Sequence, residues 1–153
     1  MKKFIPLLVL ITAPLAMCAE KYELTLDSGH VGQVHALAWD AGGNLLFSGG
    51  GDGTLRIWRN EPFRLLRKIQ VSDLPVRKIS LNPKSSEVAL VQSDGNSRHV
   101  LSVLDWETSK RKFSVDLPEV PLVLEFSPLG SFVVASKTDW KSLTFFDPDD
   151  GGR

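Results

Sequence analysis

One cysteine and one tyrosine in 153 residues set the first limits on this chain. A single thiol, Cys18, excludes any intrachain disulfide. Excess charge of either sign is also missing: 18 basic side chains face 18 acidic ones. Nothing here builds the basic face that nucleic acid would need. Histidine is scarce, and neither His35 nor His99 has a further His, Cys or acidic residue at ligand spacing. No metal site is therefore expected, and no cofactor. Beyond the first 17 residues there is no long run with a 3.6-residue period, so almost no helix is expected. No nucleophile elbow or other enzyme motif is present, which points to a chain that is not an enzyme.

What is present begins with a basic-then-apolar leader. Lys2 and Lys3 precede an uncharged segment from Phe4 to Met17. Fourteen such residues are too few to span a bilayer comfortably, and Pro6 and Pro14 would break a core helix. Residues 1–18 read as an export or lipoprotein signal. Leu15-Ala16-Met17-Cys18 resembles a bacterial lipobox, with Met17 where a small residue is usual. Cys18 is then the candidate lipidation site; ordinary cleavage near Cys18 or Ala19 is the alternative. The place of action is expected to be the periplasm or, through a lipid anchor, the bacterial cell envelope. Losing Lys2 and Lys3 leaves a net charge of −2.

The densest information lies between Gly29 and Arg59. VHALAW (34–39) alternates, with Val34, Leu37 and Trp39 as its large apolar residues, and reads as a strand packed on at least one face. Residues 41–44 form a turn, because Gly and Asn tolerate positive φ. LLFS (45–48) is a second strand, and the run Gly49 to Gly53 reads as a second turn. TLRIW (54–58) is a third strand, with Leu55 and Ile57 on one face and Arg56 on the other. Three such strands cannot bury both faces alone and need neighbours of the same kind.

Gly29-His30, Ser48, Asp52 and Trp58, in this order and spacing, resemble a WD-repeat blade. Arg59 departs from the family pattern, which has Asp after the Trp. The resemblance implies an internal hydrogen-bond network of His30, Ser48, Asp52 and Trp58, with the imidazole between the carboxylate and the hydroxyl. Such a network is structural: a catalytic use of the same trio would need a nucleophile open to substrate. Residues 63–71 read as the outer strand of the blade, with Arg64, Arg67 and Lys68 suited to an exposed edge.

Two weaker units follow. Strands are expected at 76–81, 87–92, 99–106 and 111–115, then at 121–126, 131–136 and 142–147. Leu104 and Phe146 fall at the Trp58 position, at spacings of 46 and 42 residues, as four-stranded propeller blades require. Asp94 and Asp139 take the place of Asp52 in their turns. Trp39, Trp106 and Trp140 read as blade-packing residues, and Lys110-Arg111-Lys112 as a solvated turn. The run Asp147 to Gly151 lacks the length and terminal Glu of a calcium loop and reads as a turn.

The expected fold is all-β, about three consecutive four-stranded antiparallel blades of a β-propeller, at approximately 29–71, 72–115 and 116–153. Tyr22–Leu26 alternates and could serve as a ring-closing strand. The 135 residues after position 18 make three blades at about 45 residues each, whereas closed rings use about four to eight. The ring is therefore expected to be incomplete, with further C-terminal blades or self-association completing it. By fold-level analogy the function expected is a non-catalytic protein-interaction scaffold with protein partners. A cofactor- or ligand-binding periplasmic propeller, and the propeller portion of a longer exported enzyme, are the alternatives.

Overall fold

The computed structural model describes residues 29–136 and 142–152. The leader with Cys18, the strand expected at Tyr22–Leu26, and the turn carrying Asp139 and Trp140 lie outside these residues. The described residues contain strands and no helix. They form three antiparallel meanders. Sheet 1 is β1 (Val34–Trp39), β2 (Leu45–Gly50), β3 (Thr54–Arg59) and β4 (Arg64–Gln70). Sheet 2 is β5 (Val76–Leu81), β6 (Glu87–Ser93), β7 (His99–Asp105) and β8 (Arg111–Asp116). Sheet 3 is β9 (Leu124–Phe126), β10 (Val133–Ser136) and β11 (Leu143–Phe146). The sheets stack face to face with the inner strands β1, β5 and β9 adjacent, and they do not close on themselves.

Each sheet has a leading face, toward its predecessor in sequence, and a trailing face, toward its successor. In sheet 1 the register puts Leu37, Trp39, Ser48 and Trp58 on the leading face, and Phe47, Leu55 and Ile57 on the trailing face. The trailing face meets Val76, Val88, Leu90 and Leu104 of sheet 2 in one core. Ala89, Val91, Leu101 and Val103, on the far side of sheet 2, meet Leu124, Phe126, Val133 and Phe146 in a second. The middle sheet is covered on both faces, and every residue of β6 is buried. A near-continuous apolar strand is what that position demands.

Several expectations need correction. The large residues of β1 are not its packed side: Val34, Leu37 and Trp39 are exposed, while Ala36 and Ala38 are half-buried. Among the described residues no earlier sheet stands on the side that Leu37 and Trp39 face, so Trp39 packs against no neighbouring blade there, whereas Trp106 meets Phe47 edge-on at 5.4 Å. The glycine run is not all turn. Gly49 and Gly50 belong to β2, where a Cβ would fall 2.5 Å from Val76 Cγ1 and 2.3 Å from His30 Nδ1 respectively. Only Gly53, at φ +69°, supplies the left-handed turn residue.

Sheet 3 is also shorter than read. β9 begins at Leu124 because the Val123 amide bonds to Ser136 Oγ at 2.9 Å. Arg111 and Lys112 lie within β8 rather than in a solvated turn. Lys112 Nζ donates to Glu87 and, at 2.6 Å, to Asp149 Oδ1, tying sheet 2 to the turn after β11. Arg67 of β4 likewise donates to the Trp106 carbonyl at 3.0 Å and to that of Glu107. In both cases an outer-strand cation holds the β-turn of the following sheet.

Candidate functional site

The polar centre of sheet 1 is assembled from four places. His30 precedes β1, Ser48 lies in β2, Asp52 in the β2–β3 turn and Trp58 in β3. His30 Nδ1 is 2.9 Å from Asp52 Oδ1, and His30 Nε2 is 2.8 Å from Ser48 Oγ. Trp58 Nε1 donates to Ser48 Oγ at 2.8 Å. One proton arrangement satisfies all of it: the indole donates to the hydroxyl, the hydroxyl to Nε2, and Nδ1–H to the carboxylate. The donor and acceptor roles of the two ring nitrogens are assigned from this bonding pattern.

Asp52 does more than face His30. It accepts the Val31 amide at 3.0 Å, the Thr54 amide at 3.2 Å and the Thr54 hydroxyl at 2.7 Å. Burial alone would raise its pKa, but the bonds from His30, Thr54 and Val31 outweigh it and hold the carboxyl well below the usual range. Arg56 Nη2 stands 3.6 Å from Asp52 Oδ2 with its side chain almost fully buried. Thr54 and Arg56 are the members that the sequence reading missed. Thr54 follows Asp52 by two residues, the spacing of a side-chain-closed turn, and that was the available signal.

Ser48–His30–Asp52 has the connectivity of a hydrolase triad. However, Ser48 is only 4% exposed, and its oxygen already accepts the indole N–H. The arrangement is a closed chain of donors and acceptors that pins the approach to β1 onto β2 and β3.

The network is built once among the described residues. Leu90 and Leu104 stand in sheet 2 where Ser48 and Trp58 stand in sheet 1, and Ala135 and Phe146 stand there in sheet 3. Asp94 closes its own turn instead, its Oδ1 accepting the amides of Asn96 (2.8 Å), Ser97 (3.0 Å) and Arg98 (3.1 Å). These backbone bonds lower its pKa. Asp139 and Cys18 fall outside the described residues.

A second polar contact comes from two bulges. Register shifts leave His35 in β1 and Arg77 in β5 outside their ladders, as bulges re-aim side chains. Arg77 Nη1 lies 3.1 Å from His35 Nε2. Burial, and then the Arg77 charge, lower the His35 pKa. An open cleft of about 340 Å³ runs beside them, bordered by Lys78 and Glu125. Among the described residues no cluster of His, Cys, Asp and Glu is placed to hold a metal ion.

A protein-family model described as an N-terminal beta-propeller domain matches residues 18–152. The chain belongs to this propeller family. Its curated relatives agree on a WD-type propeller. Ribosome biogenesis protein ERB1 of Ajellomyces capsulatus is 37% identical over 94 residues, 60% of this chain and 12% of its own length. Protein HIR1 of Cryptococcus neoformans is 33% identical over 118 residues, 74% of this chain and 13% of its own. THO complex subunit 3 of Arabidopsis thaliana is 28% identical over 126 residues, 78% of this chain and 38% of its own. The propeller chain thus spans well under half of each of these relatives. Among solved structures, the computationally designed Ika4 protein superposes with a TM-score of 0.63 at 25% identity, covering 80% of this chain and 71% of that one.

Proposed function

We propose that this propeller chain is a non-catalytic protein-interaction scaffold. The observation that carries the reading is the state of its Ser–His–Asp set. Ser48 is buried and both nitrogens of His30 are engaged, so the set serves the sheet rather than a substrate. What remains for recognition is the turns at the two rims, held by stiff strands. The similarity to a protein named as a subunit of a complex supports partners of the same kind, that is, other proteins. Cross-linking in the native cell followed by mass spectrometry tests this. Cross-links from rim lysines such as Lys84 to a defined partner are expected. Turnover of ester or amide substrates that disappears in Ser48→Ala would overturn it.

We place that scaffold outside the cytoplasm, with residues 1–18 as its export signal and blades at about 29–71, 72–115 and 116–153. Lys2 and Lys3 ahead of the uncharged segment Phe4 to Met17 support export. Cys18, immediately after that segment, is the candidate lipid attachment point if cleavage falls before it, ordinary cleavage near Cys18 or Ala19 being the alternative. Added acyl mass and detergent partitioning, both lost in Cys18→Ser, are expected on fractionation; soluble protein beginning at Ala19 or Glu20 would refute the anchor.

The cleft beside His35 and Arg77 favours a second reading, a small-ligand propeller, since its volume falls in the range of ligand pockets. A mass retained on gentle ionisation, lost in Arg77→Ala, would support it.

A further inference from the structure

We propose that the cleft between the inner strands of the three sheets holds a small organic carboxylate, gripped by Arg77 with His35 and Lys78 beside it. The proposal rests on the small-ligand reading above and names the class of ligand.

The two bulges make the site. They fall at equivalent places: His35 lies between Val34 and Ala36, opposite Gly50 and Gly49, and Arg77 between Val76 and Lys78, opposite Gln92 and Val91. Because β1 packs beside β5, the two side chains meet. Arg77 Nη1 lies 3.1 Å from Nε2 and 3.4 Å from Nδ1 of the His35 ring, and its Nε donates to the Ser93 carbonyl at 3.2 Å. A guanidinium held in this way has little rotamer freedom left to lose when a ligand arrives. Its Nη2 has no protein partner among the described residues, so one edge of the fork stays open to a planar carboxylate. Every wall of the cleft comes from β1, β5, β9 or the two residues before β9.

Charge decides what fits. Arg98 pairs with Asp73, and Lys112 with Glu87 and Asp149. Among the described residues Arg77 has no such counter-charge: its partners are a carbonyl and an imidazole. Burial, and then the Arg77 charge, hold His35 below its ordinary pKa, so its ring is uncharged at neutral pH and neutralises nothing. Lys78 and Glu125 border the same cleft, and Glu125 is steadied by the Ser80 hydroxyl at 3.3 Å. Two cations against one carboxylate leave a surplus of one positive charge, which a monoanion cancels and a dianion overshoots. Leu122 and Val123 supply an apolar wall for a short carbon body. The volume of about 340 Å³ stands at the small end of ligand pockets.

Butyrate is the probe, titrated into the purified protein while the His35 ring resonances are followed by NMR. Saturable shifts at millimolar butyrate are expected, and none with chloride at equal ionic strength. Butyrate should also raise the His35 pKa, since a neighbouring anion favours the charged ring. The other charged groups at the cleft, Arg77 and Lys78 of β5 and Glu125 of β9, are the same with and without the probe, so the change reports the ligand. Arg77→Gln should weaken binding about tenfold or more, the worth of a charge-assisted hydrogen bond, and Lys78→Gln by less. Shifts that do not saturate, or that persist unchanged in Arg77→Gln, would overturn the proposal. If Arg77→Gln loses its strand signal in circular dichroism, Lys78→Gln decides, an unchanged affinity overturning it. Tighter binding of inorganic phosphate, or of a capped Ala-Glu-Ala peptide, would also overturn it, giving the cleft to a phosphate or to a partner's side chain. An uncharged molecule retained on gentle ionisation would keep the small-ligand reading and sink this one.

Discussion

His30 illustrates how little freedom a satisfied polar residue leaves. Its two nitrogens are spent on Asp52 and Ser48, and its side chain is 2% exposed. Removing the ring strands a hydroxyl and a carboxylate together. His30→Ala should therefore lower stability by roughly 1–3 kcal/mol, the usual cost of unmet buried partners. Urea unfolding measures it, and an unchanged midpoint would mean the network carries no stability. Asp52 adds a pH dependence with a definite sign. Its carboxyl titrates below its ordinary value of 3.8 in the folded chain. The unfolded chain therefore takes up that proton first as acid is added. The stabilisation is full above about pH 4 and drains away as pH falls toward the folded value. The gap in urea midpoint between wild type and Asp52→Asn should be widest at pH 7 and narrow by pH 3. A constant gap would remove Asp52 from the acid response. The order and spacing of His30, Ser48, Asp52 and Trp58 could be read from sequence because each is an unusual residue at its place. Arg56 could not: alternation marks it as opposite Leu55 and Ile57, which describes a solvent-facing residue equally well.

At the scale of the element, β2 shows why glycine at a strand end need not mean a turn. Gly50 leaves the space that the His30 ring occupies. In Gly50→Ala the new methyl would displace the ring, so this variant should cost about as much as His30→Ala. The double variant should cost little more than either alone, since both remove one arrangement. Additive losses in urea unfolding would show that Gly50 acts elsewhere. Sheet 3 depends in turn on ties made by sheet 2. Lys112 bridges Glu87 and Asp149, and Glu87 is buried. Lys112→Met should cost on the order of 1 kcal/mol and speed amide exchange in β10 and β11 before β2 and β3. Uniform acceleration across all sheets would mean that the bridge does not anchor sheet 3 in particular. In sequence, Lys110-Arg111-Lys112 was simply a charged run, because nothing local says which lysine has a carboxylate on a strand two places away.

Across the whole molecule, stability follows neighbours. Among the described residues, sheet 2 is packed on both faces and sheets 1 and 3 on one each. Stacked repeats gain stability from each interface they share, so protection should rank with the number of interfaces. Hydrogen exchange should be slowest in β6 and β7 and faster in β1 and β11. Equal protection in all three sheets would show a single cooperative unit indifferent to its ends.

The order of the strands and the three-fold recurrence of the Trp58 position were determined by the sequence alone, while strand ends and the extent of the Gly49–Gly53 turn were not. Alternation, glycine and repeat spacing are local properties, and local sterics translate them into a meander. Trp58, Leu104 and Phe146 do fall at one register position. Burial was decided only by the tertiary structure. Leu37 and Leu124 are the same residue at the same strand position, yet one is wet and the other dry. The difference is a neighbouring sheet, and burial is a property of what stands opposite. The bulges that bring His35 to Arg77 were decided in the same way, because a one-residue register shift depends on the partner strand and leaves no mark in either strand's own pattern.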